Sequence, residues 1–237
     1  MNFIPSIAEA NERRLKPQKL SEITRSDREF VYSRAGHGLI PKGEVTIVHG
    51  PPGAGKSVFC SWSCVSLDLR ALYVSTEQHS EAVAGMLRKQ AGDMSRVEVM
   101  GNDTDLIFPR DIEELAEVVT EDSIELMVLD SLAASFDGSY EANNYKSSVD
   151  AMKPLARMAN SSGCTILVVM HDNKMGVEGI GAVSGSNGAV AQSRAALQFL
   201  ASQEVGHGRM FHTRSSYGAR AGYPFPYQVS DGRFAWG

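Results

Sequence analysis

The chain has 237 residues, of which 43% are hydrophobic and 22% are charged, and its formal net charge is −5 at pH 7. This length and composition are typical of one large globular domain or two small ones, and they exclude a disordered, collagen-like or disulfide-framework protein. The excess of 28 acidic over 23 basic residues argues against a protein that coats nucleic acid through bulk positive charge, although a local basic loop could still bind it.

The N-terminal segment, residues 1–34, is polar and weakly periodic. Its basic side chains include Arg13, Arg14, Lys16 and Lys19. We predict an arm or a partner-docking segment here, while a solvated helix explains the pattern equally well. The segment lacks the apolar core of a signal peptide, and no apolar run in the chain approaches the ~20 residues that a membrane helix needs. We therefore expect a cytoplasmic protein.

Beyond this segment, the chain alternates between short apolar runs and amphipathic stretches. The predicted strands are Val45–His49, Ala71–Ser75, Val97–Met100, Ile124–Leu129, Thr165–Met170, Ala195–Ala201, Met210–Arg214 and Pro226–Val229. The predicted helices are Val58–Asp68, Ser80–Gln90, Ile112–Val119, Asn143–Met158 and one more after Gly181. Apolar strands separated by helices are typical of a parallel sheet covered on both faces, and the short strands of the last quarter suggest an antiparallel edge. The predicted fold class is therefore α/β, with a mostly parallel twisted sheet, helices on both faces and antiparallel C-terminal edge strands.

The chain has three cysteines, an odd number without a CxxC pair. Cys60 and Cys64 are four residues apart on a predicted helix, where a metal pair is conceivable, but no cluster of His or Cys completes it. We predict that these two and Cys164 are reduced thiols packed in the core.

A phosphate-binding motif follows the first of these strands. The sequence GPPGAGKS, from Gly50 to Ser57, fits G-x-x-x-x-G-K-[ST] at every defined position and leads into a predicted helix. Glycines allow backbone N–H groups to turn toward phosphate oxygens, and the helix adds its positive N-terminal end. Since Lys56 can then reach the β- and γ-phosphates and Ser57 can bind Mg²⁺, we predict a nucleoside triphosphate site. Its contact residues are Gly50, Pro51, Pro52, Gly53, Ala54, Gly55, Lys56, Ser57 and Val58.

Two carboxylates follow later strands, at the end where parallel sheets bind ligands. Asp130 ends an apolar run and can hold Mg²⁺ through water, although an Asp in this place is often only a helix N-cap. Glu77 follows Ala71–Ser75 and can orient and deprotonate the attacking water, or it is only a surface residue that begins the next helix. We predict Ser57 and Asp130 as Mg²⁺ ligands and Glu77 as the catalytic base.

A histidine ends the strand that follows. We predict that His171 senses the γ-phosphate and passes its loss to the glycine-rich loop Gly176–Gly188, although a histidine at a strand end is usually structural. The pair Asn173-Lys174 is similar to the guanine-reading N-K-x-D motif, but Gly176 stands where the Asp would be. ATP is therefore the expected nucleotide.

The order of these motifs resembles that of the RecA-like ATPases. Within them, the chain is most similar to the branch that holds the RepA-type hexameric helicases, RadA and the DnaB-like proteins. The matching segments are Gly38–Val45, Tyr73–Glu77, Val128–Ser131, Met170–Lys174, Gly185-Ser186 and Ala191–Ala196. The resemblance covers roughly residues 35 to 235 and implies a RecA-like P-loop ATPase domain over 35–237. We find no separate primase-binding or zinc domain before it, which argues against a full replicative helicase.

This resemblance implies an Mg²⁺-dependent ATPase that forms a homo-oligomeric ring or filament and acts on DNA in replication, recombination or repair. In such assemblies ATP lies between subunits, and a neighbour supplies an arginine or lysine finger. The segment Phe211–Gly218 resembles the finger-bearing K-x-R-x-x-G region, with His212 in the lysine position. The resemblance therefore implies Arg214 as the finger and Arg220 as the second choice, with a solvated arginine as the alternative.

The resemblance also implies that single-stranded DNA binds two loops, here residues 133–146 and 172–188. The candidate contacts are Lys146, Lys174 and Gly176. Because these contacts include only two positive charges, one subunit would bind DNA weakly, and an assembly would have to present the same site several times. One alternative is an accessory ATPase that loads or regulates a replicative helicase or another replisome protein. A small-molecule kinase is a distant alternative, because residues 100–150 lack the clustered arginines of a kinase lid.

Overall fold

A computed structural model describes residues 19–22, 29–108, 110–135, 145–172, 183, 187–218 and 220–237. Within these ranges, nine strands form one sheet and two form a separate hairpin. The hairpin strands are β1 (Phe30–Arg34) and β2 (His37–Pro41). The sheet strands are β3 (Val45–Gly50), β4 (Ala71–Ser75), β5 (Val97–Met100), β6 (Leu126–Asp130), β7 (Thr165–His171), β8 (Ala195–Ala201), β9 (His207–Ser215), β10 (Phe225–Ser230) and β11 (Arg233–Trp236). The helices are α1 (Lys56–Ser66), α2 (Ser80–Leu87), α3 (Ile112–Glu121), α4 (Tyr145–Ser162) and α5 (Asn187–Gln192).

The sheet has the strand order β11-β10-β9-β8-β3-β7-β6-β4-β5. The strands from β8 to β5 are parallel, whereas β9, β10 and β11 add an antiparallel edge. This arrangement confirms the predicted α/β class with a mostly parallel sheet and antiparallel C-terminal strands. The carboxyl ends of β3, β7, β6 and β4 therefore lie side by side at one edge of the sheet.

Each face of the sheet has its own apolar core. One core includes Leu115 of α3 and Met152 of α4, and the other includes Phe59 of α1 and Val83 of α2. Strands β3 and β4 are buried along their whole length, which explains their near-continuous apolar sequences. The three cysteines are free and buried, as predicted. No helix in the described ranges is long and apolar enough to cross a membrane.

The β1–β2 hairpin packs on an aromatic cluster where α1 meets β11. The ring of Tyr32 contacts Trp62 edge-on, with 5.3 Å between centroids, and stacks on Trp236 at 5.9 Å. Arg34 lies over the Trp236 ring at 4.7 Å and donates a hydrogen bond to the Gly237 carbonyl at 2.9 Å. The hairpin thus extends across the boundary predicted between the arm and the domain.

Candidate functional site

The carboxyl ends of the parallel strands surround a cavity of about 460 Å³. Because β3, β7, β6 and β4 are neighbours, residues that follow them meet at this edge although they are far apart in the sequence. The predicted site residues that line the cavity are Pro52, Gly53, Ala54, Gly55, Lys56, Ser57, Val58, Glu77, Asp130 and His171. The structure therefore brings the phosphate loop, the Mg²⁺ candidates and the candidate base together.

The phosphate loop depends on backbone conformations that suit glycine. Gly55 has a φ of 85° and directly precedes α1, which begins two residues before its predicted start. At Gly50 the φ is 151°, and a Cβ would lie 2.2 Å from the carbonyl oxygen of Phe199, so no side chain fits there. On the other side of the loop, the Tyr227 hydroxyl donates to the Ala54 carbonyl at 2.5 Å. Backbone packing and this hydrogen bond together hold the loop.

The Lys56 side chain is buried at the base of the loop. Its Nζ donates to the carbonyl oxygens of Gly50 and Pro51 at 2.8 and 2.9 Å. Burial lowers the pKa of Lys56, while the carboxylates of Asp130 and Asp172 act in the opposite direction. Since an ammonium group has three N–H donors, one is left for a phosphate oxygen without breaking either bond.

Asp130 lies half-buried at the end of β6, where the Tyr73 hydroxyl donates to its Oδ2 at 2.6 Å. Burial raises the pKa of Tyr73 well above its ordinary value, so the hydroxyl remains a donor. Asp130 and Ser57 line the same cavity and offer it a carboxylate and a hydroxyl. Both are oxygen ligands of the kind that Mg²⁺ binds together with phosphate oxygens. Among the described residues, no group of three or more His, Cys, Asp or Glu is placed so that it could hold a metal ion, so the triphosphate itself would have to complete such a site.

Glu77 is exposed to the cavity and its carboxylate is held by a serine. Ser131 Oγ donates to Glu77 Oε1 at 2.5 Å. The Ser131 N–H donates to Thr76 Oγ1 at 3.1 Å, and the Thr76 hydroxyl donates to the Ser131 carbonyl at 2.9 Å. These bonds join the ends of β4 and β6 and fix one oxygen of the candidate base. Ser131 is not among the predicted site residues, although its position directly after Asp130 could have indicated a place at the same end of the sheet.

His171 lies at the end of β7, next to the start of the phosphate loop. It pairs with Gly50 in the parallel register, and its ring lines the cavity. Its Nδ1 is buried and has no hydrogen-bond partner in the part of the chain that the structure describes. The structure therefore places His171 at the nucleotide cavity, beside the first residue of the phosphate loop.

A second histidine, which is not among the predicted site residues, directly precedes the loop at the end of β3. His49 is fully buried, and its Nδ1 donates to Asp172 Oδ1 at 2.7 Å. Gln198 Nε2 donates to Asp172 Oδ2 at 3.0 Å, and His49 Nε2 lies 3.2 Å from Thr213 Oγ1. The Asp172 N–H also donates to the Gly50 carbonyl at 3.2 Å. Four strands are thereby connected to the first residue of the phosphate loop.

The two candidate fingers lie outside the cavity. Arg214 is level with Ala196 near the start of β8, and its Nε donates to the Ser193 carbonyl at 3.2 Å. Arg220 is exposed and donates to the Thr213 carbonyl at 2.9 Å. Because β8 runs parallel to β3, Arg214 lies toward the edge of the sheet opposite to the phosphate loop. The structure does not bring it to the nucleotide cavity of its own chain.

The predicted DNA contacts are only partly described. Lys146 is exposed in the first turn of α4. Lys174 and Gly176 lie outside the described residues, as do most of the two predicted DNA loops and of the N-terminal arm.

Comparison with known proteins identifies a family and two distant relatives. The profile of a family described as AAA domain matches residues 11–177. The DNA repair protein rhp57 of Schizosaccharomyces pombe is 25% identical over 170 residues, which cover 60% of this chain and 48% of that protein. The DNA repair protein RAD51 homolog 2 of Arabidopsis thaliana is 29% identical over 126 residues, which cover 43% of this chain and 33% of that protein. The chain thus spans about half or less of these relatives.

The family match and the fold agree. The matched range contains the phosphate loop and reaches past Glu77, Asp130 and His171, and it covers more than half of the chain. The same residues lie at the carboxyl edge of a mostly parallel sheet. The chain therefore belongs to the AAA domain family, within the RecA-like P-loop ATPase superfamily.

Proposed function

We propose that this protein is an Mg²⁺-dependent ATPase that works as an oligomer on DNA, in recombination or repair. The observation that carries the proposal is the convergence of Lys56, Asp130, Glu77 and His171 on one cavity beside the phosphate loop. The similarity to two DNA repair proteins favours recombination or repair over replication.

In the proposed hydrolysis of ATP, each of the site residues has a separate role. The loop N–H groups and Lys56 Nζ bind the phosphate oxygens, where charge develops as the γ-phosphoryl group leaves. Mg²⁺, held by Ser57 and Asp130, supplies further neutralisation of that charge when it is bound. Glu77 accepts a proton from the attacking water, with its Oε1 positioned by Ser131.

The position of Arg214 supports the oligomeric part of the proposal. Its guanidinium is directed toward Ser193, before β8, and so away from the phosphate loop of its own chain. It can reach a triphosphate only if another copy presents one at this edge. A guanidinium supplied in this way can contribute ~10³–10⁵-fold in rate.

The DNA part of the proposal rests on the relatives and on the candidate contacts Lys146, Lys174 and Gly176. At a net charge of −5, binding of single-stranded DNA would depend on few cations per subunit. An assembly compensates for this by presenting the same weak site many times.

The hydrolytic part is tested by Glu77→Gln. We expect ATP turnover to fall by about 10²–10⁴-fold while ATP binding is retained, because the amide cannot accept the proton. Glu81→Gln, an exposed change in the first turn of α2, is the matched control and should keep full activity. Undiminished turnover in Glu77→Gln would place the base elsewhere.

The DNA part is tested by the ATPase rate with and without single-stranded DNA over a salt series. We expect stimulation that weakens as salt rises, because phosphate contacts release counterions. A rate that is indifferent to DNA would instead favour the accessory ATPase that acts through protein contacts.

A further inference from the structure

We propose that the buried carboxylate of Glu44 positions Arg214 for the triphosphate of a neighbouring subunit. Glu44 acts through Tyr217 and Arg194, so it is a positioning residue and not a catalytic one. The inference rests on the proposed role of Arg214 as a finger supplied in trans, and it names the group that fixes the finger in place.

Glu44 lies at the edge of the sheet opposite to the phosphate loop, directly before β3. Its side chain is buried, and burial of a carboxylate is unfavourable unless the group is paired and hydrogen-bonded. Here the Tyr217 hydroxyl donates to Glu44 Oε1, and Arg194 Nε lies 3.6 Å from Glu44 Oε2. Each oxygen of the carboxylate therefore has a partner, one from the segment after β9 and one from the segment before β8.

The same two segments hold Arg214, the last residue but one of β9. Its Nε donates to the carbonyl of Ser193, the residue before Arg194. The Arg194 carbonyl accepts a hydrogen bond from the Ser216 N–H at 2.8 Å, and the Arg194 N–H donates to the Val45 carbonyl at 2.9 Å. Arg214 is thus bonded to a segment that is itself fixed to the start of β3.

The guanidinium of Arg214 keeps donors free for a ligand. Among the described residues, only its Nε has a hydrogen-bond partner, so the two terminal nitrogens can still donate to a phosphate. The Nε bond restricts rotation of the side chain, and Glu44 fixes the segment that accepts this bond. A guanidinium held in this way loses less conformational freedom when it meets a phosphate.

Strand β3 connects this contact to the phosphate loop. It begins directly after Glu44, ends at Gly50, and is buried along its whole length between β7 and β8. The finger that one subunit offers to its neighbour is thereby held in a fixed position relative to the subunit's own phosphate loop.

The test variant is Tyr217→Phe, which removes one hydroxyl and keeps the ring. We expect the turnover number of the assembled protein to fall by ~10–10²-fold, because a small displacement of a group at a reacting centre has an effect of this size. The KM for ATP should stay nearly unchanged, since the loop that binds ATP belongs to the other subunit. Tyr223→Phe, at an exposed tyrosine further along the chain, is the matched control and should keep full turnover.

Mixed assemblies show on which side of the interface Tyr217 acts. Tyr217→Phe mixed with Glu77→Gln should exceed the mean activity of the two variants, because some interfaces then combine a wild-type finger segment with an intact Glu77. Tyr217→Phe mixed with Arg214→Ala should show no such recovery, because both changes affect the finger side. Glu44→Gln should behave as Tyr217→Phe does in both mixtures, since a neutral amide binds the hydroxyl and the guanidinium more weakly.

The outcomes separate this proposal from the function on which it rests. Full turnover in Tyr217→Phe, loss of assembly, or recovery with Arg214→Ala would overturn the positioning role of Glu44. Reduced turnover that Glu77→Gln subunits do not restore would also overturn it, because the defect would then lie within one chain. The mixture of Arg214→Ala with Glu77→Gln tests the underlying function separately. If that mixture does not recover, the trans finger itself fails, whatever Tyr217 does.

Discussion

A buried hydroxyl positions the Asp130 carboxylate. Tyr73 comes from the neighbouring strand β4, and its ring is fully buried while its Oη reaches Asp130 Oδ2. Partners of this kind orient a metal ligand and typically contribute 10–100-fold to metal affinity.

Tyr73→Phe should therefore raise the Mg²⁺ concentration needed for half-maximal ATP hydrolysis by about tenfold. The phenyl ring still fills the core, so we expect a loss of only about 1–2 kcal/mol in unfolding free energy. Tyr32→Phe, which removes a hydroxyl in the β1–β2 hairpin, is the control and should leave the Mg²⁺ requirement as it is. An unaltered requirement in Tyr73→Phe would show that this hydroxyl does not support the ion.

His212 gives the protein a pH-sensitive position. Burial lowers its pKa from the ordinary 6.5, the nearby backbone of Arg214 opposes this, and the charges on His37 and Arg220 lower the pKa further. Below pH 6.5 the unfolded chain then binds a proton that the folded chain resists. Stability should fall as the pH drops from 6.5 toward the folded pKa, and this contribution should change no further below it.

His212→Gln should flatten this acid-side loss, since glutamine does not titrate. The measurement is the unfolding free energy from urea titrations at a series of pH values between 7 and 5. Parallel curves for the wild type and the variant would mean that another group causes the acid sensitivity.

At the scale of elements, the His49–Asp172 pair joins strands that are neighbours in the sheet but distant in sequence. His49 is on β3, Asp172 follows β7, Gln198 is on β8 and Thr213 is on β9. The pair is buried and lies directly under Gly50, whose carbonyl also accepts a hydrogen bond from Lys56 Nζ. Breaking it leaves a buried polar group without its partner.

We expect Asp172→Asn and His49→Gln each to lower the free energy of unfolding by about 1–3 kcal/mol, because each leaves a buried polar group without its hydrogen-bond partner. The double variant should cost less than the sum, with a coupling energy of about 0.5–3 kcal/mol. Denaturant unfolding of all four proteins gives this cycle. Additive costs, within about 0.5 kcal/mol, would mean that the two residues act independently.

Three strands, β4, β5 and β8, match their predicted bounds to the residue. The strands β4 and β8 are largely buried, whereas β5 is a partly exposed strand at the edge of the sheet, so the short run of strand-forming residues rather than burial alone made them predictable. The β1–β2 hairpin and β11 have no counterpart among the predicted strands. The hairpin is half-exposed, and its turn places Ala35 and Gly36 at φ values of 48° and 78°, without the Asn-Gly sequence that usually signals such a turn.

The site also contains residues that the sequence reveals and residues that it does not. The positions of Lys56, Glu77 and Asp130 at the cavity could be predicted, because each belongs to a contiguous motif at the end of a strand. His49 and Asp172 are 123 residues apart, and only the strand order brings them together. Local sequence patterns carry no signal for such a contact.

At the scale of the whole molecule, the position of Arg214 predicts complementation between subunits. Arg214→Ala and Glu77→Gln should each inactivate ATP hydrolysis when assembled alone. A mixture of the two variants should recover part of the activity, because some interfaces then combine an intact Arg214 from one copy with an intact Glu77 from the next. The check is the ATPase rate across mixing ratios. Absence of any recovery would count against a finger supplied in trans.

The aromatic cluster beneath the hairpin also determines the intrinsic tryptophan fluorescence of this protein. The chain has two tryptophans, and Trp62 and Trp236 lie in that one cluster with their ring centroids 6.1 Å apart. Intrinsic tryptophan emission therefore comes from one region of the fold, where α1, the hairpin and β11 are in contact. Because Trp236 is on β11 and contacts Trp62, release of β11 alone would change the emission of both residues. Fluorescence would then report detachment of the C-terminal strand separately from unfolding of the parallel sheet.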